Sequence, residues 1–270
     1  MEPTSKLPIR RFEDGRTASA SDAVVTEARI ELEVNGGELR LAMLCLPRDL
    51  EALAVGFLTA EGALRRAADL QTVEFLASDS KVVVRGDLDA DALEAISLRW
   101  TRGTGCGGGG TGRDVHAPDL PSVGAGPTVS PERLGQLARQ FDSRTDLWRK
   151  TGGVHACGLS DGQTVLLFAE DVGRHNAFDK VVGLAALKGI DLSDKIVLTT
   201  GRLSAEIVAK AVSCRIPILV SRSAVTSLAV RMAARADLTL VGFCRGRRLN
   251  VYTGYHRIAS DGPAAGELAE

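Results

Sequence analysis

Ile196-Val197-Leu198-Thr199-Thr200-Gly201-Arg202-Leu203-Ser204, followed one helix length later by Ile218-Leu219-Val220-Ser221, decides the fold. Each run opens on consecutive apolar residues, the pattern of a strand buried on both faces. Between them a helix is predicted over residues 204–212, with Ser204 placed to cap it. The same alternation extends backwards to a strand at 165–169 and a helix over about 176–188. It extends forwards to a helix over 225–234 and a strand at 238–243. Strands alternating with helices predict an α/β unit: a mostly parallel, layered sheet with helices on both faces. Such sheets take ligands at the carboxyl ends of their strands, beside helix N-termini.

The N-terminal part follows another pattern. Residues 24–34 and 38–46 alternate apolar and polar positions around Asn35-Gly36-Gly37, a hairpin signal. Leu50, Leu53, Ala54, Phe57 and Leu58 then recur at amphipathic-helix spacing, ending near Gly62. Strands at 72–76 and 81–85 complete a smaller α+β domain over residues 23–100. Residues 1–22 are polar and of mixed charge and read as a flexible tail, as do residues 259–270. A Gly- and Pro-rich linker over 101–129 separates this domain from the α/β domain over 130–258, which opens with Ser130-Pro131 in cap and first-turn positions.

Composition bounds the function. The chain has 270 residues, 44% apolar and 25% charged, with a net charge of −1. That balance gives no global basis for binding nucleic acid or a membrane surface. No apolar run approaches the ~20 residues that span a bilayer. The N-terminus lacks the apolar core of a signal peptide, and five scattered cysteines fit a reducing compartment, so the expected location is cytoplasmic.

The linker carries Thr104-Gly105-Cys106-Gly107-Gly108-Gly109-Gly110-Thr111-Gly112, in which six of nine residues are glycine. A thiol on such a loop is expected to be reachable, with Arg102 and Arg113 flanking it, and suits chemistry at sulfur. Cys45, Cys157, Cys214 and Cys244 lie in apolar runs and read as small buried hydrophobes. Three polar clusters fall at the strand carboxyl ends: Glu170 to Asn176 with His175, Thr199 to Ser204 with Arg202, and Ser221-Arg222-Ser223. A fourth, Phe243-Cys244-Arg245-Gly246-Arg247-Arg248, reads either as a phosphate clamp or as a basic hairpin turn. Neither a Walker A sequence nor a Gly-x-Gly-x-x-Gly opening a helix is present. No metal site is expected: His155-Ala156-Cys157 offers ligands at strand spacing, but no Cys-x-x-Cys completes them.

Several blocks together resemble the FdhD (NarQ) family: Leu53-Ala54-Val55-Gly56-Phe57-Leu58 through Glu61-Gly62; Thr151-Gly152-Gly153-Val154-His155-Ala156; Glu170-Asp171-Val172-Gly173-Arg174-His175-Asn176-Ala177-Phe178-Asp179-Lys180; Gly201-Arg202-Leu203-Ser204; Pro217-Ile218-Leu219-Val220-Ser221; and Asn250-Val251-Tyr252-Thr253. The resemblance covers about residues 24–258. It implies a cytidine-deaminase-like sheet, a homodimer and a sulfurtransferase acting as a formate dehydrogenase accessory protein. In that role a cysteine desulfurase loads a persulfide onto the loop cysteine, here Cys106. The sulfur passes to the molybdenum cofactor, bis-molybdopterin guanine dinucleotide, as substrate. Residues 243–248 would then lie at the cofactor-binding stretch; Arg202, Arg222 and His175, from the strand-end clusters, are the further candidates to bind the cofactor.

The chain departs from the family loop Cys-x-x-Cys by placing Gly109 at the second cysteine position. One sulfur suffices to carry a persulfide, but a loop disulfide is ruled out. The alternative is a protein that binds or escorts the molybdenum cofactor without sulfurating it. Deamination is excluded, because the His-x-Glu and Pro-Cys-x-x-Cys zinc signature is missing.

Overall fold

The computed structural model describes residues 1–98, 120–246 and 248–259. Cys106 and Arg247, with most of the linker and residues 260–270, lie outside the described residues. In chain order the N-terminal part contains β1 (Thr4–Glu13), β2 (Arg16–Val25), β3 (Ala28–Val34), β4 (Leu39–Cys45), α1 (Leu50–Ala60), β5 (Leu70–Leu76), β6 (Lys81–Gly86) and α2 (Ala90–Ser97). The C-terminal part contains α3 (Pro131–Ser143), α4 (Asp146–Thr151), β7 (His155–Ser160), β8 (Val165–Asp171), α5 (Arg174–Leu187) and β9 (Ile196–Thr199). It continues with α6 (Ala205–Ser213), β10 (Ile218–Ser221), α7 (Ser227–Arg235), β11 (Thr239–Arg245) and β12 (Arg248–Thr253).

The C-terminal sheet has the order β12-β11-β10-β9-β7-β8. Alternate strand residues explain the apolar runs. Val197, Leu219 and Leu240 face the layer formed by α5, α6 and α7, while Ile196, Leu198, Ile218 and Val220 face α3. Helices therefore cover both faces. The mostly parallel arrangement needs correction: only β9, β10 and β11 are parallel neighbours, whereas β7 and β12 run antiparallel to the strands beside them. The cause is local. β8 folds back on β7 through a tight turn at Gly162, and β12 folds back on β11 at Gly246, both with positive φ. Because β8 is antiparallel to β7, and β7 to β9, the strands β8, β9, β10 and β11 all point the same way. Their carboxyl ends share one edge.

The smaller sheet has the order β4-β3-β6-β5, with β3 and β4 joined at Asn35-Gly36, both in the left-handed region. Against it packs α1, whose expected amphipathic character does not hold. Leu50, Ala52, Leu53, Ala54, Val55, Gly56, Leu58 and Ala60 are all buried, because α5 occupies the side opposite the sheet. A Cβ on Gly56 would stand 1.7 Å from the Asp179 carbonyl oxygen, and one on Gly183 would stand 1.8 Å from that of Ala52. The two helices thus touch backbone to backbone.

Residues 1–22, read above as a flexible tail, instead form most of an antiparallel hairpin in which Thr4–Glu13 pairs with Arg16–Val25 across Asp14-Gly15. Its alternation is carried by Ser, Ala, Thr and Arg rather than by large apolar residues, so the pattern does not stand out. The 101–129 linker is also shorter than expected in one respect: Val123 and Val129 are buried, and Val129 bridges to Ile258.

The helix crossing yields a stability prediction. Gly56→Ala and Gly183→Ala should each destabilise the chain by at least the upper end of the ~1–3 kcal/mol typical of overpacking, since backbone rather than a flexible side chain must yield. Urea unfolding midpoints compared with wild type test this; an unchanged midpoint would show that α1 and α5 can separate freely.

Candidate functional site

Two buried charge clusters fix the site from behind. Asp171, at the end of β8, accepts the Leu46 N–H at 3.0 Å, the Gly173 N–H at 2.9 Å and the Asn176 side-chain amide at 3.0 Å. Its other partner is Lys180, fully buried, whose Nζ lies 2.7 Å from Asp171 and donates to the Leu46 carbonyl at 2.9 Å. Asn176 also donates to the Leu44 carbonyl at 2.8 Å. The long Glu170–Lys180 block is therefore chiefly a bolt between the two domains. In the second cluster, Lys210 on α6 sits 2.7 Å from Asp179 and 3.1 Å from Glu61, over the Phe57 ring. Burial pushes the Asp179 carboxyl up, and Lys210 only partly offsets this. Burial opposes the charge on Lys210, but the two carboxylates outweigh it and leave its pKa raised.

At the shared carboxyl-end edge a cleft of about 420 Å³ opens between α4, the start of β7 and the loops after β9 and β10. Trp148, His155, Thr200 and Arg222 contribute its polar and aromatic walls. The Glu170 carboxylate accepts the N–H groups of Leu147 at 3.3 Å and Trp148 at 3.1 Å, which positions α4. Arg222 lies over the Trp148 ring at 5.9 Å and pairs with Asp142 at 3.3 Å. His155 Nδ1 is 3.2 Å from Thr200 Oγ1, which also accepts the Ala156 N–H at 3.0 Å. Burial lowers the His155 pKa, helped by the charges of Arg174 and His175 and opposed by Asp171.

Of the residues singled out from sequence, Arg222 lines this cleft, and Arg245 donates from Nε to the Arg222 carbonyl at 2.8 Å. Arg202, in the loop after β9, and Arg248, the first residue of β12, are exposed at the same edge. Phe243 adopts a positive φ within an irregular stretch of the β11–β12 ladder, its N–H bonded to the Ser223 carbonyl. His175 turns away from the role of a free imidazole: its Nε2 is 2.9 Å from the buried Glu206 carboxylate, which also faces Arg174 at 3.8 Å. Cys244 does not line the cleft. It is packed in the core beneath α3, near the Leu134 carbonyl, and burial pushes its thiol up to about 11. Ser204 precedes α6 without a side-chain cap bond. Sequence reasoning passed over His155, Thr200 and Trp148 as a group; the available signal was Gly152-Gly153 opening a polar strand start.

Cys45, Cys157 and Cys214 are also buried. Burial raises the Cys45 thiol to about 12 and drives that of Cys157 upward as well. Among the described residues no group of three or more His, Cys, Asp and Glu side chains could hold a metal ion. Nor is any described helix long and apolar enough to cross a membrane.

A family model described as the FdhD/NarQ family matches residues 25–259. The chain belongs to the FdhD/NarQ family. It is 38% identical over 257 residues to the sulfur carrier protein FdhD of Wolinella succinogenes, covering 94% of this chain and 88% of that one. It is 34% identical over 266 residues to the protein of the same name from Listeria innocua, covering 96% and 100%. Among solved structures it is similar to a formate dehydrogenase accessory protein from Desulfotalea psychrophila, with a TM-score of 0.80 and 25% identity. That match covers 96% of this chain and 100% of the other. Membership carries the mixed α/β architecture with it.

The lowered His155 pKa has a defined sign. The imidazole should titrate below its ordinary value of about 6.5, so it stays neutral where a free histidine begins to charge. Its contribution to stability is then intact above the unfolded value and falls as pH drops through that value toward the lower folded one. NMR titration of the ring protons, with His155→Gln to assign the signal, checks this; a pKa at or above the ordinary value would contradict it.

Proposed function

We propose that this FdhD/NarQ protein is a sulfur carrier for formate dehydrogenase, with Cys106 holding the sulfur. The observation that carries the reading is the fate of the other thiols. Cys45, Cys157, Cys214 and Cys244 are packed in cores, and a buried thiol held above its normal range is a poor nucleophile. Cys106, on its glycine-rich sequence, is the fifth. The names of the relatives support the sulfur-carrying role.

In this reading the Cys106 thiolate attacks the terminal sulfur of a cysteine desulfurase persulfide. The new S–S bond forms on Cys106 as the desulfurase cysteine leaves as a thiolate. The carried sulfur then passes to the molybdenum of bis-molybdopterin guanine dinucleotide, which is the substrate. Handing it on as sulfide takes two electrons. With Gly109 at the second loop position these come from an external thiol or from the metal centre. Arg202, Arg222, Arg245 and Arg248, gathered at one sheet edge, suit the nucleotide phosphates of that substrate.

Intact-protein mass spectrometry after incubation with a cysteine desulfurase and cysteine tests the thiol. Wild type should gain about one sulfur mass, removable by reductant, and Cys106→Ser should gain none. The same variant should fail to activate formate dehydrogenase while keeping its fold and its nucleotide affinity. Full activation by Cys106→Ser would favour a cofactor escort that does not move sulfur.

A further inference from the structure

His155 is not among the residues assigned above to any ligand, yet its surroundings are built around it. Thr200 Oγ1 accepts the Ala156 N–H at 3.0 Å, and its own hydroxyl proton has His155 Nδ1 as a near acceptor at 3.2 Å. The alternative acceptor, the Ala156 carbonyl, is 3.5 Å away. With its proton on the nearer acceptor, the threonine donates to Nδ1 and the ring carries its own proton on Nε2. Among the described residues no hydrogen bond occupies that Nε2, and the ring lines the cleft beside Trp148 and Arg222. Arg174 and His175 on α5, with Asp171 from β8, are the charged groups that act on it. Two of the three favour the neutral ring.

We propose that His155, locked by Thr200, is a ligand-positioning residue of the cleft that presents a neutral Nε2–H to a phosphate oxygen also held by Arg222. This rests on the reading of the edge as a nucleotide-phosphate site and deepens it. A neutral donor adds direction without adding charge, so Arg222 supplies the attraction and His155 fixes where the oxyanion sits. Trp148, whose ring lies 5.9 Å from the Arg222 guanidinium, supplies an adjoining aromatic wall.

The test is calorimetric titration of the full chain with guanosine diphosphate and, separately, with inorganic pyrophosphate. His155→Ala should weaken binding about tenfold, the scale of one lost directed hydrogen bond, whereas His155→Gln, which restores an N–H donor, should stay within about threefold of wild type. Thr200→Val should weaken binding in wild type but add almost nothing in the His155→Ala background, and Thr200→Ser should behave as wild type. Thermal melting of each variant separates lost affinity from lost fold. Stronger guanosine diphosphate than pyrophosphate binding places the base in the cleft as well; equal binding restricts the site to the phosphates. Binding that His155→Ala leaves unchanged, or Thr200 and His155 effects that simply add, overturns the assignment while leaving the nucleotide reading intact. No binding of either probe to wild type overturns both.

Discussion

The contact of α1 with α5 is the constraint on which the rest of the structure depends. Two glycines let the helix backbones meet, and no other residue fits at either position without moving main chain. That closeness brings Glu61, at the end of α1, within reach of Lys210, and places the Leu46 carbonyl against Lys180. Both lysines are buried, and a buried ammonium is tolerable only with its hydrogen bonds and countercharges in place. The N-terminal domain therefore completes the polar interior of the C-terminal one. It is not an appended module.

The same arrangement determines where ligands can bind. Four strands point to one edge although only three are parallel neighbours, because inserting β7 antiparallel between β8 and β9 preserves the direction of β8. Loops far apart in sequence consequently converge: Val172 after β8, Thr200 after β9, Arg222 after β10 and Arg245 at the end of β11. The irregular β11–β12 ladder, with Phe243 in the left-handed region, ties this last segment to the Ser223 carbonyl. A bulge at a strand end re-aims the following side chains, and here Arg245 is brought onto the Arg222 backbone.

Much of this was legible in the residues. The strands β9 and β10 read directly from Ile196 to Thr199 and Ile218 to Ser221, because burial on both faces demands unbroken apolar runs. Asn35-Gly36 announced its turn, and Ser130-Pro131 announced α3; Ser130 does accept the Arg133 N–H. What escaped notice did so for physical reasons. The strand β7 buries Ala156, Cys157 and Gly158, small residues of weak strand propensity, so only the strand spacing of His155-Ala156-Cys157 stands out in the sequence. The all-round burial of α1 depends on a partner helix more than a hundred residues away. The Glu170–Lys180 block was conspicuous, but its sequence could not tell a ligand-binding loop from a buried bolt. Only coordinates show Asp171, Asn176 and Lys180 holding Leu44 and Leu46. His155 was dismissed for want of further metal ligands, when its relevant neighbour was a threonine forty-five residues on.

The bolt and the helix crossing also make the peptide link between the domains redundant for cohesion. A chain opened between residues 98 and 120 would keep its two fragments together through main-chain contact and buried charge alone. Each fragment made separately would expose unpaired ammonium or carboxylate groups and wait for its counterpart, so the pair would fold by complementation.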